Sequence, residues 1–461
     1  MTQAEQAADE RAQVFLEQRI GRHLRDKRKR ASFATYFFGL LSDAERKSVE
    51  PMAAQACGGS DPLEVRRCHH NLVHFIRDSA WDDQVVRYEA ARYACEALLA
   101  RGEEVTTWVI DDTGFLKQGR HSVGVSRQDT GSAGKVANCQ IAVSLSVATG
   151  TEQLPLDVAL YLPKTWAQDA DRREAAKVPA QVVFRTKLEL ALTMIERAVG
   201  AGMPGEVVLA DCAYGEASSF RDTVKLLGLD YAVGVQKDFR VLRLDARDRC
   251  RSASLRVDQL AAALGAKAFR RLTWKQGTKA PLRSRFAFAR VKAAHDDGAT
   301  DPTKRDAEWL VMEWPEGEEK PTKFFVTTLP RRQSKKQLVR TIKERWRTER
   351  VYEELKGELG FDHFEGRSWP GWHHHVSVAL CGYAFVVAER ARAFPPSARR
   401  TRDASGHGRA TRPARRRFLR HRAPASGTAT GALAASLPQL PSVSGDSRSQ
   451  RTRGIKRTFL Q

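Results

Sequence analysis

The sequence predicts an α/β protein, and three observations predict it. Helix-forming text with apolar residues at helical spacing runs to about residue 103. From Val105 onward, short β-rich runs alternate with helical ones. Two of those runs end in aspartate, and a later helical stretch carries a glutamate between basic residues.

Residues 1–103 read as a helical N-terminal domain. Ser42-Asp43-Ala44-Glu45 has the Ser-x-x-Glu spacing of a capping box. Over 90–99, helix formers place apolar residues at i, i+3, i+4 and i+7. Arg19, Arg22, Arg25, Lys27, Arg28, Lys29 and Arg30 crowd together in this part. A solvated helix face and a phosphate-contacting patch are equally open for them.

The next runs, at 106–110, 122–126 and 141–147, suggest a meander of three strands. A helix follows at about 185–199, where Leu188, Leu190, Ala191, Met194, Ile195 and Ala198 form one apolar stripe. Then come a strand ending at Asp211, a helix near 217–227 and a strand at 231–235. This order, β-β-β-α-β-α-β, is that of a ribonuclease H-like sheet. The expected architecture is a ribonuclease H-like catalytic core at 104–236 and 327–393, with a β-rich insertion at 237–326. Helical text resumes over 335–358. After Phe394-Pro395-Pro396 the composition turns to Ala, Ser, Gly, Pro and Arg without a sustained period, which predicts a disordered basic tail over 394–461.

A net charge of +22 suits a polyanionic partner, nucleic acid first and an anionic membrane surface second. The tail holds fifteen Lys or Arg against two Asp, so about +9 belongs to the first 393 residues. The folded part is only moderately basic. Seven cysteines, odd in number and widely spaced, with no CxxC pair, point to reduced thiols in a cytosolic protein. The longest apolar stretch, 376–388, falls short of the ~20 residues that span a bilayer and reads as a buried helix. Cys68-His69-His70-x3-His74 and His373-His374-His375 lack the paired spacing of a zinc site. Gly131-Ser132-Ala133-Gly134-Lys135 lacks the Walker spacing.

The chemistry rests on three acidic positions. A strand end delivers a short carboxylate to a fixed point, and neighbouring strands lie about 4.8 Å apart, so Asp112 and Asp211 can share a metal if their strands are adjacent. Asp111 competes with Asp112 for the first place. In a helix, Arg345, Glu349 and Lys356 fall within roughly 40° of one another at about 100° per residue. The bland alternatives are aspartates that form turns and an ordinary salt-bridged helix. The richer one is a site for two divalent ions about 3.5–4 Å apart, set for in-line attack on a phosphodiester.

At these residues the chain resembles the DDE transposases of bacterial insertion sequences, in the branch with a β insertion and a Tyr-x2-Arg-x3-Glu-x6-Lys signature. Arg345-x3-Glu349-x6-Lys356 matches that spacing, with Ile342 standing where the signature has tyrosine. Asp112-Thr113 resembles the family's first aspartate, and Asp211-Cys212-Ala213-Tyr214-Gly215 resembles its second. The resemblance covers about residues 30–392, including Glu365-Gly366-Arg367-Ser368-Trp369 and Trp372-His373-His374-His375.

The resemblance implies that Asp112, Asp211 and Glu349 are the catalytic metal ligands for two Mg2+, with Mn2+ able to substitute. It implies that Arg345 and Lys356 grip phosphates and that Arg347 adds a contact. Trp346 either stacks on a base drawn from the duplex or belongs to the core. The implied activity is cut-and-paste transposition by a homodimer that pairs the terminal inverted repeats of double-stranded DNA and joins them to target DNA. The implied location is bacterial cytoplasm, at the nucleoid and away from membranes. A nuclease of the same fold without strand transfer and a catalytically silent DNA-binding protein are the alternatives.

Overall fold

The structure, a computed structural model, describes residues 3–393 apart from 59, 60, 132, 252, 278, 279 and 295–300. The tail expected over 394–461 lies outside the described residues.

The chain opens with helices α1 (Gln3–Val14), α2 (Lys27–Leu41), α3 (Val49–Ala56), α4 (Pro62–Arg77) and α5 (Asp83–Ala100). Helices α2, α4 and α5 each start behind an aspartate, Asp26, Asp61 and Asp82, whose side chain accepts from first-turn N–H groups. The capping box expected at Ser42 is not a helix start. Ser42 closes α2 and donates its hydroxyl to the Gly39 carbonyl at 2.8 Å, and α3 begins only at Val49.

Among the described residues twelve strands form one mixed sheet: β1 (Thr107–Leu116), β2 (Ser126–Thr130), β3 (Lys135–Ala148), β4 (Gln153–Leu160), β5 (Val207–Ala210), β6 (Asp230–Val235), β7 (Arg240–Arg243), β8 (Leu255–Arg256), β9 (Arg270–Gln276), β10 (Pro281–Ala293), β11 (Glu308–Trp314) and β12 (Lys323–Thr327). The order is β2-β3-β1-β5-β6-β12-β11-β10-β7-β8, with β4 beside β3 and β9 beside β10. Strands β1, β5 and β6 run parallel, whereas β3 and β12 flank them antiparallel. The β-rich stretch at 237–326 thus continues the sheet from the edge of β6 and includes a helix, α11 (Val257–Leu264).

Two strand expectations need correction. The run at 122–126 is a turn up to Val125, with Gly124 at φ 74°, and the strand starts at Ser126. Strand β1 pairs β3 rather than β2, so the three do not form a meander. Strand β4 went unread because Pro155 interrupts it. That proline sits where the β3–β4 ladder shifts register, a place where a missing N–H is tolerated.

The remaining helices are α6 (Lys164–Ala167), α7 (Ala170–Ala175), α8 (Lys187–Gly200), α9 (Cys212–Gly215), α10 (Ser218–Leu226), α12 (Lys335–Lys343), α13 (Arg347–Leu359) and α14 (Trp369–Ala393). Helix α8 carries a capping box formed by Thr186 and Glu189. The pleat sends alternate β1 residues to two cores. Trp108 and Ile110 join a cluster with Met194 and Ile195 of α8, whereas Val109 joins Leu209, Leu338, Val339 and Ile342 under α12. The apolar run at 376–388 is buried within α14, and none of the described helices is long and apolar enough to cross a membrane.

Candidate active site

Parallel pairing of β1 with β5 sets Thr107 opposite Val207, Trp108 opposite Val208 and Val109 opposite Leu209. Two residues further along, the same register brings Asp111 level with Asp211. Because the pleat has period two, Asp111 shares the face of Val109, and Asp112 turns to the face of Trp108 and Ile110. Helix α13 covers the Asp111 face. Ser144, the cross-strand partner of Asp111, hydrogen-bonds the hydroxyl of Tyr352 on that helix.

Arg345 joins the two acids. Its guanidinium lies 3.0 Å from Asp111 Oδ1 and 3.6 Å from Asp211 Oδ2. Burial pushes the Asp111 carboxyl above its ordinary value, and the Arg345 charge opposes that rise. Burial works to lower the Arg345 pKa, but the charges of Asp111 and Asp211 outweigh it and the group is raised. Asp211 ends β5 and caps α9, accepting from the Ala213 N–H at 2.9 Å.

Asp112, the first acid implied by the resemblance, faces the other way. Its Oδ2 accepts from Lys187 Nζ at 2.5 Å, and its Oδ1 accepts the hydroxyl of Tyr214. The structure therefore brings Asp111, Asp211 and Arg345 together, with Asp112 across the strand. The two aspartates are adjacent in the chain, and no sequence spacing tells which side of the pleat faces the helix.

The single helix expected over 335–358 is broken. A 3-10 turn, Glu344–Trp346, separates α12 from α13 and takes Arg345 out of the α-helical register with Glu349. Glu349 lies in the first turn of α13 and is exposed. A carboxylate there is favoured by the positive end of the helix dipole. Lys356 Nζ donates to the Gly114 carbonyl of β1 at 2.7 Å, and burial lowers its pKa against the pull of Asp362. Arg347, expected to reach phosphate, is buried and donates to the carbonyls of Thr149 and Gly150 in the β3–β4 turn. Trp346 is 43% exposed, with Lys275 Nζ of β9 4.2 Å from its ring centre. Ile342, at the signature tyrosine's position, lies on α12 and is buried in the cluster with Val109 and Leu209.

Other motifs resolve into the fold. His373, His374 and His375 are on α14 and pair with the carbonyls of Trp369, Ile76 and Gly360, His375 also with the Tyr36 hydroxyl. In the basic cluster, Arg19 and Arg22 pair with Glu89, Lys29 bonds the Ala80 carbonyl, and Arg30 bonds the Leu24 carbonyl. Arg25, Lys27 and Arg28 are exposed.

An all-oxygen pair of carboxylates aimed at one cation-sized point suits a hard divalent ion. The bridging guanidinium supplies the observation, since a single positive group reaches both Asp111 and Asp211. Among the described residues no group of three or more His, Cys, Asp or Glu is drawn together for a metal ion, so the pair Asp111 and Asp211 is what the structure offers such an ion.

The family model described as DDE superfamily endonuclease matches residues 19–281, more than half of the chain. The chain belongs to the DDE superfamily endonucleases. Over 217 residues it is 28% identical to a protein of Microchaete diplosiphon named "Probable transposase for insertion sequence element IS701", an alignment covering 47% of this chain and 51% of that one. The chain spans about half the length of this relative. The endonuclease match includes Asp111, Asp112 and Asp211 and ends before Arg345 and Glu349.

Proposed function

We propose that this DDE endonuclease is an insertion-sequence transposase in which Asp111, Asp211 and Glu349 hold divalent magnesium. The observation that carries the reading is Arg345, one cation shared by Asp111, in the middle of β1, and Asp211, just past the end of the neighbouring parallel strand β5. The register that sets Asp111 level with Asp211 favours Asp111 over Asp112, and Glu349 stands four residues beyond Arg345. The order β4-β3-β1-β5-β6, with β1, β5 and β6 parallel, supports a ribonuclease H-like core. When bound, the metal would polarise a phosphodiester and lower the pKa of its attacking water or 3′-hydroxyl.

The chain's own groups prepare that site. Asp111 and Asp211 present oxygens at fixed points, because the β1–β3 ladder holds the first and the second follows β5 and caps α9. Lys356, fastened to the β1 backbone at Gly114, ties α13 to the strand of the first acid. Trp346 offers a partly exposed ring beside Lys275, with Arg350 exposed on α13, and this combination of π-face and positive charge suits unpaired or distorted DNA. The activity is cleavage at the terminal repeats followed by strand transfer, in a dimer on DNA.

The test is a labelled duplex carrying the terminal repeat that flanks the gene, incubated with the full chain and Mg2+. A metal-dependent nick at the repeat boundary, lost in Asp111→Asn and Glu349→Gln while DNA binding persists, is expected. Cleavage without joining to target DNA would leave an endonuclease only. Binding without any cut would overturn the reading.

A further inference from the structure

The β1–β5 ladder ends at Val109 and Leu209, two residues before the carboxylates that face Arg345. Beyond that point no strand pairing between β1 and β5 sets how far Asp211 stands from Asp111. What spans the gap is a side-chain link. Tyr214 lies on the one-turn helix α9 that Asp211 caps, and its hydroxyl donates to Asp112 on β1. Its ring is 2% exposed and packs against Phe220, with centroids 5.8 Å apart. Asp112 is itself held on its other oxygen by Lys187, the first residue of α8, at 2.5 Å.

The far end of α9 is fixed as well. A Cβ on Gly215 would come within 2.0 Å of the Gly234 carbonyl oxygen, so only glycine lets the turn press onto β6. The Gly215 N–H donates to the Asp211 carbonyl at 2.8 Å and closes the turn on the acid itself. The four residues after Asp211 are therefore bound to β1 through Tyr214 and to β6 through Gly215, and Asp211 has little freedom left.

We propose that Asp112 is a positioning residue, which with Tyr214 and Lys187 forms a strut that holds the Asp211 carboxylate level with Asp111. The proposal rests on the metal reading above. It assigns the two adjacent aspartates separate roles on opposite faces of one strand: Asp111 touches the ion, and Asp112 sets where the second ligand stands. Partners that orient metal ligands typically change metal affinity by about 10- to 100-fold when removed, with the ligands still present.

The experiment uses the full chain and two readouts. Free Mn2+ is followed by electron paramagnetic resonance without DNA, and cleavage of the repeat duplex is followed as a function of Mg2+ concentration. Tyr214→Phe deletes one hydroxyl from a buried ring and keeps its packing. Its Mn2+ affinity is expected to fall about 10-fold, with cleavage recovered at saturating Mg2+ and the melting temperature nearly unchanged. Asp112→Asn is expected to behave in the same way, and Asp111→Asn to stay inactive at every Mg2+ concentration. Wild-type Mn2+ affinity and Mg2+ dependence in Tyr214→Phe would overturn the strut. So would an Asp112→Asn inactive at all concentrations beside a cleaving Asp111→Asn, which would make Asp112 the ligand. A wild-type chain that binds no Mn2+ would remove the metal reading and the strut with it.

Discussion

Arg345→Ala removes the cation that Asp111 and Asp211 share. The two carboxylates then face each other across one strand spacing, about 5 Å, where unit charges at an effective dielectric of about 20 repel by roughly 3 kcal/mol. The Asp111 side chain is 17% exposed and that of Asp211 35%, so water screens part of this, and a loss of about 2 kcal/mol at neutral pH is expected. The pH dependence has a definite sign. Burial already raises the Asp111 carboxyl, and losing Arg345 raises it further. A carboxyl raised above its unfolded value of about 4 contributes stability that is fully present below that pH and lost as pH climbs through the folded value. The deficit of the variant should therefore be small near pH 4 and full near pH 7.5. A divalent ion restores positive charge between the acids, so Mg2+ should stabilise the variant more than the wild type. Urea unfolding across this pH range, with and without Mg2+, measures both effects. A variant as stable as wild type at neutral pH without metal would refute the reasoning, as would a deficit indifferent to pH and to Mg2+.

Further outcomes follow from the same structure. The carboxyl of Glu344 is pushed up to about 7 by burial, against the hydrogen bond from Thr107; its stabilising share is present below about pH 4.3 and lost as pH rises through 7, so Glu344→Gln should be more stable than wild type at pH 8 by roughly 2–3 kcal/mol, and urea unfolding showing no pH-dependent gain would contradict this. Asp157 is fully buried and accepts from Arg87, Tyr88 and Arg197; Asp157→Ala leaves a buried guanidinium short of its partner and should cost about 3–5 kcal/mol in chemical denaturation, where less than about 1 kcal/mol would refute it. Trp346→Ala truncates a ring that is 43% exposed and should leave the melting temperature within a few degrees of wild type while weakening binding to single-stranded or gapped DNA by about 1–3 kcal/mol, measured by fluorescence anisotropy; unchanged affinity would place the ring outside the DNA path.

Much of the framework was legible in the residues. The apolar stripe of α8 and the β-rich runs at 207–210, 230–235 and 323–327 each carry a local signal, since periodicity is a property of neighbouring residues, whereas the capping box read at Ser42 is not a helix start. Strand β4 was hidden by Pro155, which is acceptable only because the facing ladder shifts register there. The break at Glu344–Trp346 was hidden because its causes are distant. Arg345 reaches Asp111 on β1 and Arg347 the β3–β4 turn, contacts with residues far away in the sequence that no local pattern announces.

By itself, the sequence determined that this chain would alternate strands with helices, place Asp211 just after a strand, and bear the positive charge of a polyanion-binding protein, whereas the strand expected to end at Asp112 runs on to Leu116. Only the tertiary structure decided which of the adjacent aspartates meets Asp211, which arginine stays near the acids and which is consumed by the backbone. Those outcomes depend on the β1–β5 register and on the side of the pleat that α13 covers. A one-residue shift of register would exchange Asp111 and Asp112 between the faces without altering any local pattern in the chain.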